Sequence, residues 1–348
     1  MQHSNAILSA LKQNIAKVVV GKDDVVELLL TALLCEGHIL IEDVPGVGKT
    51  TLCSALARSL SCSFKRIQFT PDITPSDITG YTVPSITGEM QYRPGAILSQ
   101  IVLADEINRT SPKTQSALLE VMEERQVTVD GVTYPLARPF MVLATQNPVD
   151  FVGTYPLPEA QMDRFFMRIS IGYPTVEDEM DILARYCGAS APMQTLSAVC
   201  SAEDVLSMQQ QVKGTYASPE VRAYVAAICA ATRNTPYLTL GASTRAAIAL
   251  VRAAQGNALL CGRDYIIPED VQRMAAPVLC HRFVLSADAR MRGYTEQQVL
   301  SELMGGVRIP VRLKCPPAGF TRCSSARSCS SRRCPWEAPA RFCGARPR

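Results

Sequence analysis

His38-Ile39-Leu40-Ile41-Glu42-Asp43-Val44-Pro45-Gly46-Val47-Gly48-Lys49-Thr50-Thr51 reads as a short apolar strand, a tight glycine turn and the first turn of a helix. Backbone N–H groups of such a turn point inward, where they and the helix N-terminus can hold phosphate oxygens. The candidate cradle is Pro45, Gly46, Val47, Gly48, Lys49, Thr50 and Thr51. Lys49 would reach the outer phosphates, and the Thr50 hydroxyl would ligate an accompanying magnesium ion. One position departs from the full pattern: a glycine is expected at 43, and this chain has Asp43. The competing reading is an accidental glycine turn before a helix.

Ile101-Val102-Leu103-Ala104-Asp105-Glu106 is a second buried strand, and it ends in two acids. Ligands of open α/β sheets sit at the carboxyl ends of the strands. There Asp105 would bind magnesium through water and Glu106 would polarise an attacking water. Pro139 to Asn147 is a further apolar strand ending in an amide. Asn147 can bond both that water and a γ-phosphate, or can simply form a turn before Pro148. Arg164 precedes the short strand Arg168–Ile171; it is either a solvated charge or an arginine that reaches a neighbour's γ-phosphate. Arg245 stands in the first turn of a helix capped by Ser243, where a cation opposes the helix dipole. Service to an anion would explain that cost.

Outward from these strands the chain divides by pattern. Helices are expected at 4–17, Asp24–Cys35 and Thr50–Leu60, with a strand at Phe64–Phe69. Residues 70–92 are rich in Pro, Gly, Thr and Asp, and Thr82–Pro84 can pair with Glu89–Tyr92 as a hairpin. Gln126–Tyr134 alternates around Asp130-Gly131, a strong hairpin signal. From Pro174 the chain turns helical: Val176–Tyr186, Ala202–Val212, Pro219–Asn234, Thr244–Gln255, Pro268–Leu279 and Thr295–Leu303. The expected organisation is an α/β nucleotide-binding domain over 1–173 and a smaller all-α lid over 174–313, with a basic tail over 314–348.

Composition narrows the function classes. The net charge of +3 hides an asymmetry, because residues 315–348 carry seven Arg against Glu337. That tail is +6, so the rest is −3, and the basic balance is no argument for nucleic acid. The 13 cysteines show no zinc-site spacing, and Cys35 and Cys229 fall at apolar helix positions that suit small core residues. No apolar run reaches the length of a membrane span. A cytoplasmic protein is expected. The tail reads as an idle, disordered extension or as an arginine-rich arm.

Taken together, Glu42–Thr50, Arg66–Asp72, Pro75–Gly80, Val102–Arg109, Pro112–Glu120, Thr145–Pro148, Leu157–Phe165 and Gly241–Arg245 resemble the MoxR family of AAA+ ATPases, in the clade of the magnesium-chelatase ATPase subunit. The resemblance implies a parallel sheet of the P-loop NTPase type, ATP with Mg2+ as cofactors, and ATP hydrolysis. It implies Asn147 as sensor 1, Arg164 as arginine finger and Arg245 as sensor 2. Residues 82–92 would be the helix-2 insert. The implied assembly is a hexameric ring of copies of itself, acting chaperone-like on protein partners, often ones with von Willebrand factor A domains. A nucleic-acid motor, a magnesium-chelatase-type subunit and a nucleotide-binding scaffold without turnover are the other readings.

Overall fold

The computed structural model describes residues 2–44, 46–85, 89–147, 154–187 and 192–310. Pro45 of the cradle, the hairpin tip at 86–88 and the basic tail lie outside the described residues. In chain order the first elements are α1 (Gln2–Ala16), α2 (Asp23–Leu34), β1 (Ile39–Glu42), α3 (Lys49–Ser59), β2 (Phe64–Gln68) and α4 (Pro75–Thr79). Next come β3 (Gly80–Pro84), β4 (Met90–Pro94), β5 (Ile101–Asp105), α5 (Pro112–Glu124), β6 (Gln126–Val129), β7 (Val132–Pro135), β8 (Met141–Gln146), α6 (Glu159–Met162) and β9 (Met167–Ile169).

Five of these strands form one parallel sheet in the order β2-β5-β8-β1-β9. Side chains alternate across a strand, so each strand feeds two cores. Ile39 and Ile41 of β1, with Leu103 of β5 and Leu143 of β8, pack under α1, α2 and α3. Leu40, Val102, Ala104, Val142 and Ala144 point the other way, onto Leu118, Leu119 and Met122 of α5. Both faces are covered, which is why these strands read as continuous apolar runs.

The remaining α-helices and strands are α7 (Val176–Tyr186), α8 (Ala202–Gly214), α9 (Pro219–Arg233), β10 (Leu238–Leu240), α10 (Thr244–Leu260), α11 (Pro268–Leu279), β11 (Val284–Leu285), α12 (Ala287–Met291) and α13 (Glu296–Gly306). β10 and β11 pair antiparallel, a small ribbon among the lid helices that the helical periodicity does not predict. Leu250, Val271 and Val278 of the lid share the core formed by α1 to α3. Close approach of α10 to α2 requires Gly256: a Cβ there would lie 2.6 Å from Cys35 Sγ. Cys35 is buried in that seam, and burial pushes its thiol up to about 12, as suits a packing residue. Cys229 is likewise buried in the core.

Both expected hairpins form. β3 pairs with β4 in the register Thr82 to Tyr92, and β6 with β7 across Asp130 and Gly131, both at positive φ. They pack together: the Tyr92 ring stacks on Tyr134 at 4.0 Å, and the Thr82 hydroxyl bonds the Asp130 carboxylate. No helix among the described residues is long and apolar enough to cross a membrane.

Candidate active site

At the carboxyl end of β1 the chain turns through Gly46 and Gly48, at φ of 85° and 87°. Any other L-residue would be strained there, and Gly48 delivers the chain into α3 with Lys49 as its first residue. A Cβ built on either glycine meets nothing within 4 Å, so the turn opens onto space rather than onto packed protein. The Lys49 ammonium donates to the Asp43 carbonyl at 2.6 Å. Burial lowers its pKa, while the carboxylates of Asp43, Asp105 and Glu106 pull the other way. The two acids at the end of β5 therefore stand within electrostatic reach of the lysine, although β8 lies between their strand and β1.

Asp43 has a structural job. One of its carboxylate oxygens accepts from the Val44 amide at 2.9 Å; the other accepts from the amides of Ile171 and Gly172, both at 2.6 Å, and from Ser170 Oγ at 3.0 Å. Burial would raise its pKa, but these bonds outweigh it and hold the carboxyl below the usual range. Where a glycine would leave the turn unsupported, this carboxylate ties it to the segment leading out of β9 into the lid.

Asp105 is the last residue of β5, while Glu106 lies just outside the strand, in the left-handed region at φ 59°. Thr145 on the adjacent β8 joins the two: its hydroxyl donates to Asp105 Oδ1 at 2.5 Å and accepts from the Glu106 amide at 2.8 Å. From β2, on the other side, Arg66 donates to Asp105 Oδ2 at 2.6 Å and Gln68 donates to Glu106 Oε2 at 2.7 Å. Asn147 comes directly after β8 and is buried, its carbonyl accepting from Asn108 at 3.4 Å. The open glycine turn, a lysine among carboxylates, a threonine in the first turn of α3 and a held aspartate fit a magnesium–triphosphate. Lys49 and the turn amides would hold the phosphates, and Thr50 and Asp105 the metal.

Arg164 and Arg245 are elsewhere. The Phe166 amide donates to the His38 carbonyl at 2.8 Å, so the segment carrying Arg164 lies at the amino end of β1. Extended chain rises roughly 3.3 Å per residue, which separates His38 from Asp43 by roughly 16 Å. Both arginines converge on one carboxylate, Glu123 in the last turn of α5: Arg245 Nη2 at 2.6 Å and Arg164 Nε at 3.3 Å. They line a cavity of about 200 Å³ together with Arg125, Arg252 and Arg282. His38 forms part of its floor. Its Nδ1 accepts from the Val142 amide at 3.0 Å, leaving Nε2–H to donate to the Met122 carbonyl at 3.0 Å.

Sequence reasoning missed Thr145, Arg66, Gln68 and Glu123. Arg66 and Gln68 stand two apart on a strand and so share a face, a signal that was available. Thr145 carried one too, as a hydroxyl closing an apolar strand. Nothing local marks Glu123 except that a carboxylate in a helix's last turn opposes the dipole.

The pattern of the ATPase family associated with various cellular activities (AAA) matches residues 38–167, and that of the AAA lid domain matches residues 230–303. The uncharacterised protein YeaC of Bacillus subtilis is 50% identical over 88% of this chain and 96% of its own. Chaperone MoxR1 of Mycobacterium tuberculosis is 40% identical over 88% of this chain and 83% of its own, and protein MoxR of Paracoccus denitrificans 33% over 77% and 86%. A crystal structure of a candidate ATPase from Cytophaga hutchinsonii superposes with a TM-score of 0.84 at 38% identity, covering 89% of this chain and 96% of that one.

Proposed function

The chain belongs to the MoxR family of AAA+ ATPases, and from that premise we propose that it hydrolyses ATP as a head-to-tail ring that remodels protein partners. One observation carries the ring. Lys49, Asp105 and Glu106 gather at the carboxyl end of the sheet, while Arg164 and Arg245 pair with Glu123 at the other end. A guanidinium there cannot serve its own phosphate turn. It can serve the turn of the next copy, and that geometry supports both arginines acting in trans. Heterologous contacts of this kind give a ring when the rotation from copy to copy closes.

In this reading Lys49 and the turn amides bind the triphosphate. Magnesium, when bound, would neutralise charge on the phosphates, held by the Thr50 hydroxyl and, through water, by Asp105. Glu106 orients the attacking water and Asn147 holds it in line. Thr145 keeps Asp105 and Glu106 at fixed separation. The tie from Asp43 to residues 170–172 links the phosphate turn to the lid, so nucleotide state can be felt by α7 and the helices after it. We assign residues 1–173 to the nucleotide-binding domain and 174–313 to the lid.

Protein clients suit the surface better than nucleic acid does. Tyr81, Met90 and Val132 on the two packed hairpins are exposed, and the sequence before residue 315 is net acidic. We propose clients of the von Willebrand factor A type and a cytoplasmic location. The deciding experiment is subunit mixing. Arg164→Ala and Lys49→Ala should each be silent in ATP hydrolysis, and their mixture should regain turnover, since the second supplies the finger that the first lacks. An active Arg164→Ala preparation, or a mixture that assembles and stays silent, rejects the reading.

A further inference from the structure

Glu123 and Arg245 each stand at the wrong end of a helix. Glu123 lies in the last turn of α5, where the dipole is negative, and Arg245 in the first turn of α10, where it is positive. They compensate each other across the cavity at 2.6 Å, and Arg164 joins the same carboxylate at 3.3 Å. The other acids of the cavity are committed elsewhere. Asp163 accepts from Arg282 at 2.7 Å and Glu36 from Lys213 at 2.6 Å, with Arg125 on its second oxygen. Glu123 is thus the acid that meets these two guanidiniums, and all three side chains are accessible, at 40%, 32% and 49% exposure for Glu123, Arg164 and Arg245.

We propose that Glu123 is a resident counter-anion: in the separate subunit it holds Arg164 and Arg245 together on one carboxylate, and it yields them when the γ-phosphate of a neighbouring copy's nucleotide enters the cavity. This rests on the two arginines acting in trans. Chemistry favours the exchange. Exposed carboxylate–guanidinium pairs are weak and easily broken. A phosphate brings more charge and three acceptor oxygens to the same forked donors. Glu123 therefore keeps the arginines clustered and spaced for an anion, while setting a threshold that the nucleotide must overcome.

The test uses the full chain with Glu123→Gln, titrating hydrolysis against ATP and assembly against a non-hydrolysable ATP analogue. Glu123→Gln should lower the ATP concentration for half-maximal rate about fivefold, with kcat undiminished. Its assembly midpoint should move to lower analogue concentration by a similar factor. Glu123→Asp, which keeps the carboxylate, should return both toward the parent. An unchanged or raised half-maximal concentration, or a kcat that falls as it does in Arg164→Ala, overturns the proposal. A merely structural crosslink between α5 and α10 would lower thermal stability and leave both midpoints in place, which also overturns it. The two failures are separable. If Arg164→Ala and Arg245→Ala are silent while Glu123→Gln is indifferent, only the counter-anion role falls. If those arginine variants turn over like the parent, trans action falls and takes this proposal with it.

Discussion

At the carboxyl end of the parallel sheet Asp43 and Asp105 are gripped by strands and backbone amides, whereas at the amino end two long guanidiniums share one exposed carboxylate. Asp43 accepts from three amides, and Asp105 is held from both neighbouring strands. Arg164 and Arg245 reach Glu123 from flexible stems. The first arrangement is preorganised, as charge stabilisation during a reaction demands. The second is adaptable, as a surface completed by another molecule demands. Substitutions at the gripped end should therefore disturb both stability and chemistry, and substitutions of the arginines chemistry alone.

The largest effect expected is at Glu106. Glu106→Gln should bind ATP and lose about a thousandfold in hydrolysis, measured in single turnover. Retained turnover would remove the water-orienting role from the gripped end. Next comes the floor beneath the arginines, which is itself rigid. Burial pushes His38 down to about 4, with the Met122 carbonyl opposing and the Arg125 charge assisting. Its folded-state pKa lies below the unfolded value, so its contribution is complete above about pH 6.5 and is lost as pH falls toward 4. That loss is on the order of 3 kcal/mol. His281, also buried and shifted well down, acts with the same sign. Denaturant unfolding of His38→Gln across that window should show a shallower pH slope than the parent, with a residue of slope from His281.

Asp43→Asn comes third, at about 2 kcal/mol of stability. The carboxyl of Asp43 is depressed, so the parent keeps this contribution above the usual carboxylate pKa and loses it at lower pH. The asparagine variant should have a flatter acid limb in unfolding. Equal acid limbs would mean that the tie to residues 170–172 does not bear on stability. Smallest is Thr145→Val, which removes a bond to each of Asp105 and Glu106 while keeping the shape. Hydrolysis should fall about tenfold with little change in ATP affinity, as read from kcat and KM. A change in KM alone would show that Thr145 shapes binding and not the acids.

The core strands were legible because each is an apolar run bounded by turn chemistry, and strands covered on both faces have no other way to be written. Asp130-Gly131 announced its hairpin for a similar local reason: adjacent positive φ values are tolerated by few residue pairs. The antiparallel ribbon of β10 and β11 escaped notice because its strands are very short and 45 residues apart across Thr239 and Val284. Glu106 reads in the sequence as the end of its strand; its left-handed φ takes it out of the ladder and turns its carboxylate toward Gln68.

By itself the sequence determined the local chemistry of this protein: where the glycines must be to open the turn after β1, which strand ends in acids, where the longer helices begin. Those properties depend on neighbours a few residues away. Only the tertiary structure decided that β8 lies between the lysine's strand and the acids' strand, that Asp43 reaches residues 171 and 172, and that Arg164 and Arg245 meet on Glu123. Such pairings join residues far apart in the chain, and the order of strands in the sheet, which no local pattern encodes, sets which of them can touch.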